Sequence, residues 1–518
     1  MLKVLMAASE NDALPKGKVG GIGDVIRDIP KFLAQQDVHV DVLIPSYQYQ
    51  SVVNDCELVL TLDVPFQGEI KHVELFKVNN ITNKNVTQWV FEHRNFCVGE
   101  PGQIYFDDGP HKPFCSDSNK FALFSAAVCE LICGAWFDKI DVLHLHDWHT
   151  AFIPMLREYE PRYNKLKHKK LVYSIHNLAI QGTRPLEGDE ASLHSWFPTL
   201  NYDVDVINDP RYTHCINPTR TAINLADAVH VVSPNYAKEV MQPSDHENGF
   251  VGGEWLEQDL IKANKQGRLF GFINGCDYDF VQPNPISNAE LLTKIADKIT
   301  VLQSHEKRER QVHNIANERL LYWSKTPSNG PSLVSIGRLT EQKVKLLLLP
   351  EGEQLVLDSL LQQLDENDAR MIILGSGDPM LEDIVTQVMA RNKNLLFING
   401  YCDNLSQNLY VNGDLFVMPS SFEPCGISQM LAMRAGQPCI AHKIGGLADT
   451  IEHLESGYLF SGSTFNAQIA DFKKQLAIAL QDIQDNSKQW QHIQKSAKAK
   501  RFYWQDSIKG YIDKLYKN

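Results

Sequence analysis

The sequence lacks the features that mark secreted, metal-cysteine and membrane proteins. Its ten cysteines include no CxxC pair, which argues against a disulfide framework and fits reduced thiols. Cys129 and Cys133 lie one helical turn apart, but no further Cys/His set accompanies them, so we favour a core role over a metal site. No apolar run reaches the ~20 residues that cross a bilayer. The first apolar run ends at Glu10 and predicts a strand rather than a signal peptide.

Positive charge is also scarce. Lys and Arg number 50 against 63 Asp and Glu, which gives a formal net charge of −13. Proteins that bind nucleic acid usually carry a basic face, so we expect no nucleic-acid partner. An anionic ligand would need cations placed locally. We find no internal repeat, low-complexity segment or long charge run, and we expect a soluble intracellular protein.

The 518 residues are too many for a single core, which predicts two domains. Short apolar runs alternate with helical patterns, and several runs are apolar on both faces, as in parallel strands covered by helices on each side. The fold class predicted is therefore α/β with two doubly wound sheets. Ten strands are predicted, at Lys3–Ala8, Val38–Ile44, Asp141–Leu145, Leu171–Ile175, Ala228–Val232, Leu333–Ile336, Arg370–Leu374, Asn394–Ile398, Asp414–Met418 and Pro438–Ala441.

The predicted domain organisation follows from a glycine-rich and proline-rich seam. Gly271-Phe272-Ile273-Asn274-Gly275 and the Pro-rich stretch after it place the boundary near residue 270. We predict an N-terminal domain at 1–270 and a second domain at 271–498. An amphipathic pattern from Arg501 to Tyr516 predicts a final helix within 499–518. A further helix is predicted at Asn119–Trp136, opened by the Ser116-Asp117-Ser118 cluster.

The stretch KVGGIGDV, residues 18–25, follows the first predicted strand and opens a helix. Loop N–H groups and a helix dipole at such a place favour an anion, and Lys18 would add charge. The pattern is neither a dinucleotide GxGxxG motif nor an ATPase phosphate loop. The glycines either only turn the chain or let it approach a phosphate, and the motif alone leaves both open.

The stretch DVLHLHDWH, residues 141–149, gathers polar rings at the end of an apolar strand. His144 and His146 share one face of the strand and could suggest a metal pair, but a third ligand is missing. Sugar hydroxyls suit these groups better. Residues 171–182 repeat the pattern, with His176, Asn177 and Gln181 after a strand.

Two stretches of the second half place charge at strand ends. In SIGRLTEQK, residues 335–343, Arg338 offers a guanidinium that can make two parallel hydrogen bonds, and Lys343 offers a point charge near a helix start. The alternative is that both cations lie on a solvated face of the protein. In PSSFEPCGISQ, residues 419–429, Glu423 sits where charge is costly unless a cation pairs with it. Cys425 could be a nucleophile at a helix start, but packing is favoured because no motif-level His accompanies it. Residues 444–450, IGGLADT, add a glycine turn suited to phosphate, whereas LGSGDP, 374–379, only spaces the backbone.

Taken in order, these segments resemble the bacterial glycogen synthase and plant starch synthase family of retaining glucosyltransferases. The resemblance spans nearly the whole chain and is carried by KVGGIGDV, HLHDWH, SIHNLAIQG, ADAVHVVSPNYAKEV, NGCDYD, GRLTEQK, LGSGDP, SSFEPCGISQ and GGLADT. It implies a GT-B fold, in which two doubly wound Rossmann-like domains face each other across a cleft. It also implies transfer of glucose from ADP-glucose to the non-reducing 4-OH of an α-1,4-glucan, with no metal or cofactor. Tyr503-Trp504 resembles the family's closing helix, which returns to the N-terminal domain. A cytoplasmic location follows, with a plastid stroma not excluded.

The resemblance also implies roles for single residues. His146 lies over the reacting sugar with its carbonyl near the anomeric carbon, Arg338 and Lys343 hold the diphosphate, and Glu423 faces the glucose hydroxyls. The donor and nucleotide set implied is Lys18, Gly20, Gly21, Asp24, Tyr401 (stacked on adenine), Cys425, Gly426, Gly445, Gly446 and Leu447. The acceptor set implied is Asp117, Asn177 and Gln181.

The chain departs from the family pattern near these contacts. Val19 stands for Thr, Ile22-Gly23 for Leu-Ala, Ser116-Asp117 for Asp-Asn, Val344 for Gly, Ser421 for Arg and Ile444 for Thr. Donor and acceptor preference therefore stay open. The alternatives are a relative that uses another sugar nucleotide or acceptor, and a glucan-binding relative without catalysis, which the intact set of charged residues disfavours. The oligomeric state is not predicted.

Overall fold

A computed structural model describes residues 1–134, 136–137, 139–304 and 310–517. The chain forms two compact units, of which the first comprises 1–244, 252–275 and 504–518 and the second 245–251 and 276–503. The unit bounds differ from the predicted bounds of 1–270, 271–498 and 499–518 by a few residues at each end, and the exchanged segment 245–251 was not foreseen. No helix among the described residues is long and apolar enough to span a membrane.

The first unit holds a large sheet flanked by helices. Its strands are β1 (Leu2–Ala7), β2 (Val38–Pro45), β3 (Cys56–Phe66), β4 (Glu69–Asn83), β5 (Val86–Glu92), β6 (Val142–His146), β7 (Lys170–Ile175), β8 (Arg184–Pro185), β9 (Cys215–Ile216), β10 (Ala228–Val231) and β11 (Leu269–Gly271). Its helices up to residue 275 are α1 (Gly21–Ala34), α2 (Gln50–Val53), α3 (Cys115–Cys133), α4 (Phe152–Tyr159), α5 (Leu193–Trp196), α6 (Val204–Ile207), α7 (Pro218–Leu225), α8 (Pro234–Glu239) and α9 (Glu257–Lys265).

The order of strands in this sheet is β11-β10-β7-β6-β1-β2-β5-β4-β3. All neighbours from β11 to β5 run parallel, whereas β3 and β4 form an antiparallel extension next to β5. The connections leave β1 in one direction and reach β6 on its other side. The carboxyl ends of β1 and β6 therefore flank the switch point where doubly wound sheets bind ligands.

The second unit contains a smaller sheet with a helical cover. Its strands are β12 (Ser332–Ile336), β13 (Pro350–Glu351), β14 (Gln354–Leu355), β15 (Arg370–Gly375), β16 (Leu395–Asn399), β17 (Leu415–Met418), β18 (Cys439–His442) and β19 (Gly457–Phe460). Its helices are α10 (Asn288–Ser304), α11 (Gln311–Lys325), α12 (Glu341–Leu348), α13 (Val356–Asp365), α14 (Pro379–Arg391), α15 (Asp403–Asn412), α16 (Ser428–Ala435), α17 (Gly445–Thr450), α18 (Phe465–Gln484) and α19 (Lys488–Ala499).

The six main strands of the second unit are all parallel, in the order β16-β15-β12-β17-β18-β19. Setting aside the short β13–β14 hairpin, this is the 3-2-1-4-5-6 order of dinucleotide-binding sheets, with the switch point between β12 and β17. Local chemistry starts the helices: at α14, Asp378 accepts N–H groups of Met380 and Leu381, and Pro379 takes the first helical position.

The ten predicted strands are all present, with ends that differ by at most one residue. The predicted helix at Asn119–Trp136 runs instead from Cys115 to Cys133, so the serine cluster lies inside α3 rather than before it. The predicted final helix is shorter: α20 spans Trp504–Gly510 and continues as one π-helical segment, Tyr511–Tyr516. The described ring of Trp504 is buried and stacks on Phe32 at 6.4 Å in the first unit.

Candidate active site

The KVGG loop lies at the switch point of the first sheet, between β1 and α1. The carboxylate of Glu10 holds the loop in place: its Oε2 accepts the N–H groups of Val19 at 2.8 Å and Gly20 at 2.7 Å. Lys18 donates to Asp24 Oδ1 at 2.6 Å. Burial raises the pKa of Asp24, and the charge of Lys18 opposes that shift. Two of the loop donors predicted to face a phosphate are therefore already satisfied by Glu10.

The carboxyl end of β6, on the other side of the switch point, places His146 in a fully buried position. Its Nδ1 lies 2.9 Å from His176 Nε2 at the end of β7, while its Nε2 has no hydrogen-bond partner among the described atoms. Burial holds the pKa of His146 well below its usual range, so the ring is neutral at pH 7. The backbone carbonyl of His146 accepts from Thr150 Oγ1 at 3.2 Å. A neutral ring and a strand-end carbonyl suit an uncharged, polar ligand.

Behind His146 lies a second buried polar chain. His144 Nε2 lies 2.7 Å from Ser174 Oγ, which lies 2.9 Å from His230 Nδ1. His144 Nδ1 lies 2.9 Å from the hydroxyl of Tyr516. Among the described residues, no group of three or more His, Cys, Asp or Glu could hold a metal ion. His144 and His230 therefore have hydroxyl groups of the protein as hydrogen-bond partners.

The three predicted acceptor residues are engaged within the first unit. Asp117 is buried in an ion pair with the fully buried Lys120 at 2.7 Å and accepts the N–H of Phe106. Burial raises the pKa of Asp117, which Lys120 opposes. Asn177 Oδ1 accepts the N–H of Ala179 at 3.0 Å. These contacts favour structural roles, and the predicted contacts with an acceptor sugar stay predictions.

Gln181 has no polar atom left for a ligand. Its Oε1 accepts from Arg211 at 2.8 Å and Asn217 at 2.6 Å, and its Nε2 donates to the carbonyls of Leu178 at 3.2 Å and Glu254 at 3.0 Å. An amide makes four hydrogen bonds at most, so this side chain is saturated. Its partners are far away in sequence, and sequence reasoning did not identify them.

In the second unit, the predicted cations lie at the switch point between β12 and β17. Arg338 follows β12, is exposed and has no ion pair among the described residues. Lys343, in the first turn of α12, forms an ion pair with Glu423. The carboxylate of Glu423 also accepts a hydrogen bond from Ser420 Oγ at 3.1 Å. Glu423 is 5% exposed, so the lysine supplies the positive partner that its buried carboxylate requires.

The loop after β17 is bonded to α12 at two more points. Ser421 donates its N–H to the carbonyl of Gln342 at 2.8 Å, and Gln342 Nε2 donates to the carbonyl of Phe422 at 3.0 Å. Ser421 occupies the position of the family's arginine, and its Oγ is buried without a hydrogen-bond partner among the described atoms. Lys343 and Glu423 are therefore held in place by the backbone on both sides.

The predicted glycine turn at α17 packs against the same loop. Gly446 donates its N–H to the carbonyl of Glu423 at 2.9 Å, and a Cβ at Gly446 would lie 2.1 Å from the carbonyl oxygen of Cys425. Gly426 and Gly445 have φ of 76° and 42°, which side chains other than glycine rarely adopt. These glycines are required by backbone approach and turn geometry.

Three further predicted donor residues differ in accessibility. Tyr401, in the loop after β16, is 55% exposed and presents a ring to solvent, as stacking on a base requires. Leu447 and Cys425 are buried, so only their backbone groups could reach a ligand. For Cys425 this agrees with packing rather than with a nucleophile.

The comparisons with known proteins agree on the family. Residues 3–261 match the starch synthase catalytic domain family, and residues 330–482 match glycosyl transferases group 1. The chain is 31% identical to the glycogen synthase of Lactiplantibacillus plantarum, covering 99% of this chain and 98% of that protein. It is 31% identical to the glycogen synthase of Streptococcus equi subsp. equi over 100% of both chains.

Solved structures show the same fold. The catalytic domain of starch synthase IV from Arabidopsis thaliana, bound to ADP and acarbose, superposes with a TM-score of 0.71 at 24% identity and covers 99% of this chain and 98% of that one. Sucrose-phosphate synthase from Thermosynechococcus elongatus gives 0.55 at 15% identity, with 100% and 98% covered. The predicted GT-B fold class is confirmed. The chain belongs to the glycogen synthase and starch synthase family of glycosyltransferases.

Proposed function

We propose that the protein transfers glucose from ADP-glucose to the non-reducing 4-OH of an α-1,4-glucan, with retention of configuration and release of ADP. The observation that carries this proposal is the cation pair at the switch point of the second sheet. Arg338 is exposed and unpaired among the described residues, and Lys343 is fixed by a buried carboxylate. The chain is acidic overall, so cations at one place are informative. Two such cations at the carboxyl ends of the strands of a 3-2-1-4-5-6 sheet, beside its switch point, are suited to bind a diphosphate.

In the second unit, Arg338 and Lys343 bind the diphosphate and stabilise the negative charge that develops on the departing ADP. Preorganised cations of this kind stabilise a leaving group without a metal, and the proposal requires none. The carboxylate of Glu423 accepts hydrogen bonds from the hydroxyls of the transferred glucose and keeps Lys343 oriented. Tyr401 stacks on the base, and the glycine turn at Gly445, Gly446 and Leu447 lines the phosphates.

In the first unit, His146 acts on the transferred glucose. Its ring is neutral, so it adds no positive charge beside an oxocarbenium-like carbon. The carbonyl of His146 adds partial negative charge at the same strand end. Lys18 supplies the cation of the KVGG loop, whose shape Glu10 sets.

The test is nucleotide release from ADP-glucose and from UDP-glucose, each with glycogen, maltotriose or no acceptor. We expect ADP release that depends on glucan. Lys343→Ala is expected to lower kcat by about 10²–10³, since it removes charge stabilisation of about 3–4 kcal/mol. Lys473→Ala is the matched control, because Lys473 is equally exposed and also pairs with a carboxylate, that of Glu351.

Each other outcome has a definite meaning. Release from another donor or to another acceptor would replace the substrates but keep the transfer chemistry. Turnover by Lys343→Ala equal to that of Lys473→Ala would contradict the proposed role of the cation pair. Binding of glycogen without release from either donor would favour a non-catalytic relative.

A further inference from the structure

Trp255 is a large apolar ring presented to solvent on a strained backbone. Among the described residues, two tryptophans are exposed, Trp136 at 67% and Trp255 at 62%. Glu254 and Trp255 have φ of 51° and 72°, and two consecutive residues other than glycine in this region are unusual. Such strain persists only where the surrounding structure holds it, and it concentrates at ligand sites.

The surrounding turn is firmly anchored although the ring itself is not packed. Ser244 Oγ accepts the N–H of Gly252 at 2.9 Å and donates to the carboxylate of Glu254. Leu256 is fully buried and donates its N–H to the carbonyl of Gly253 at 2.7 Å. The exposure of Trp255 is therefore a fixed property of the turn and not a consequence of a loose loop.

The saturated amide of Gln181 joins this turn to a second exposed ring. Its Nε2 donates to the carbonyl of Glu254 at 3.0 Å, and its Oε1 accepts from Arg211 at 2.8 Å. The guanidinium of Arg211 lies 5.7 Å from the ring centre of Tyr212, which is 54% exposed. The amide of Gln181 thus contacts the residue next to Trp255 and the arginine that packs on Tyr212.

The residue after Gln181 packs against the segment that follows β6, the strand that ends at His146. Gly182, next to Gln181, has φ of 71°, and a Cβ there would lie 2.3 Å from the indole of Trp148. Trp148 is two residues beyond His146. The loop after β7 therefore packs its backbone on the indole of Trp148, which follows β6.

We infer that Trp255 and Tyr212 form an aromatic subsite that binds glucosyl residues of the α-glucan chain, with Gln181 as the positioning residue. This inference rests on the proposed function for its ligand class. The pyranose ring offers C–H groups on its faces, and these pack on flat aromatic rings whose polar edges stay in water. The subsite holds the glucan at a distance from the reacting end, so it affects acceptor binding and product length rather than donor chemistry.

The first experiment is retardation of the native protein in gels that contain glycogen, without any donor. Trp255→Ala is expected to weaken glycogen binding about tenfold, the loss of one aromatic contact. Trp255→Phe, which keeps a ring, is expected to retain binding within about twofold of the wild type. Trp136→Ala, which removes the other exposed tryptophan, in the chain between α3 and β6, is expected to bind as the wild type does.

Kinetics separate the subsite from the transfer site. Trp255→Ala is expected to raise the KM for glycogen about tenfold and to leave the KM for ADP-glucose unchanged, with a smaller effect for maltotriose. Equal retardation of Trp255→Ala and Trp136→Ala would overturn the inference, as would a change of oligomeric state in gel filtration with unchanged glucan binding. A wild type that is retarded by glycogen but releases no nucleotide would contradict the proposed function alone, and the variants would still decide the subsite.

Discussion

At the scale of single residues, Asp147 is a buried acid between His146 and Trp148. Its Oδ1 accepts the N–H of His176 at 2.6 Å, but burial outweighs this contact and raises its pKa to about 7. The folded chain therefore holds this proton more tightly than the unfolded chain, whose pKa is near the ordinary value. The stabilisation is complete at low pH and is lost as the pH rises from about 4 to about 7.

Asp147→Asn tests this assignment, because asparagine does not titrate, keeps an oxygen acceptor and has nearly the same shape as aspartate. We expect the free energy of unfolding of the wild type to fall relative to that of Asp147→Asn between pH 4 and 7, by at most about 1.4 kcal/mol per pH unit. Urea denaturation across this range measures it. Parallel profiles for the two proteins would show that the carboxyl group stays ionised in the fold.

One contact of the candidate site could be predicted from the sequence, because a carboxylate placed as Glu423 is requires a cation. Lys343 and Glu423 were both placed by their position after a strand, and the structure joins them in one ion pair. Gln181 shows the limit, since its partners Arg211 and Glu254 come from distant segments that no local pattern connects to it. The catalytic and binding roles of these residues stay predictions until they are measured.

At the scale of elements, the KVGG loop depends on one carboxylate at the end of β1. Glu10 accepts two loop N–H groups through Oε2, and its Oε1 accepts from Tyr105 at 2.7 Å. We expect Glu10→Ala to destabilise the first unit by about 1–2 kcal/mol, since the loop donors are left to water or unsatisfied. Transfer activity is expected to fall as well, because Lys18 loses its fixed position.

Thermal denaturation and nucleotide release measure the two effects of Glu10→Ala. Glu69→Ala is the control: it removes an exposed carboxylate that pairs with Lys71 and is expected to change neither. Glu10→Gln, which keeps one oxygen acceptor, is expected to lie between Glu10→Ala and the wild type. A Glu10→Ala protein with full stability and activity would mean that the loop holds its shape by other contacts.

The elements themselves were largely predictable, and the exceptions have physical reasons. Strands such as β6 and β7 are apolar on both faces because helices cover both sides of the sheet. Five strands of the two large sheets were not predicted: β3, β4, β5, β11 and β19. In β3, exposed positions interrupt the apolar run, and the antiparallel pair β3 and β4 depends on β5. The start of α3 was misplaced by the serine cluster, since Asp108 accepts both the N–H and the hydroxyl of Ser116 within the helix.

At the scale of the whole molecule, the chain leaves the first unit at Gly275 and returns at Trp504. The returning segment Trp504–Tyr516 completes the core of the first unit. Gly275 has no side chain where a Cβ would lie 2.4 Å from the indole of Trp504, and Tyr511 lies 4.8 Å from the ring of His230. Tyr516 closes the buried chain through His144.

We expect a variant that ends at Tyr503 to lose the cooperative unfolding of the first unit, whereas the second unit retains its own transition. Tyr516→Phe is the milder variant and is expected to cost about 1–2 kcal/mol, because a buried nitrogen of His144 loses its partner. Calorimetry with limited proteolysis distinguishes the two units. An intact first-unit transition in the variant ending at Tyr503 would contradict this assignment.

The return of Trp504–Tyr516 has a consequence for synthesis on the ribosome. After residue 275 has been translated, the nascent first unit still lacks the strip that covers Phe32 and His144, and the whole second unit must be made before that strip emerges. The 228 residues from Cys276 to Tyr503, made at 5–20 residues per second, take roughly 11–46 s. During this interval an apolar face of the nascent chain is open to chaperones and to aggregation. A slow codon within the second unit would therefore impair the folding of the first.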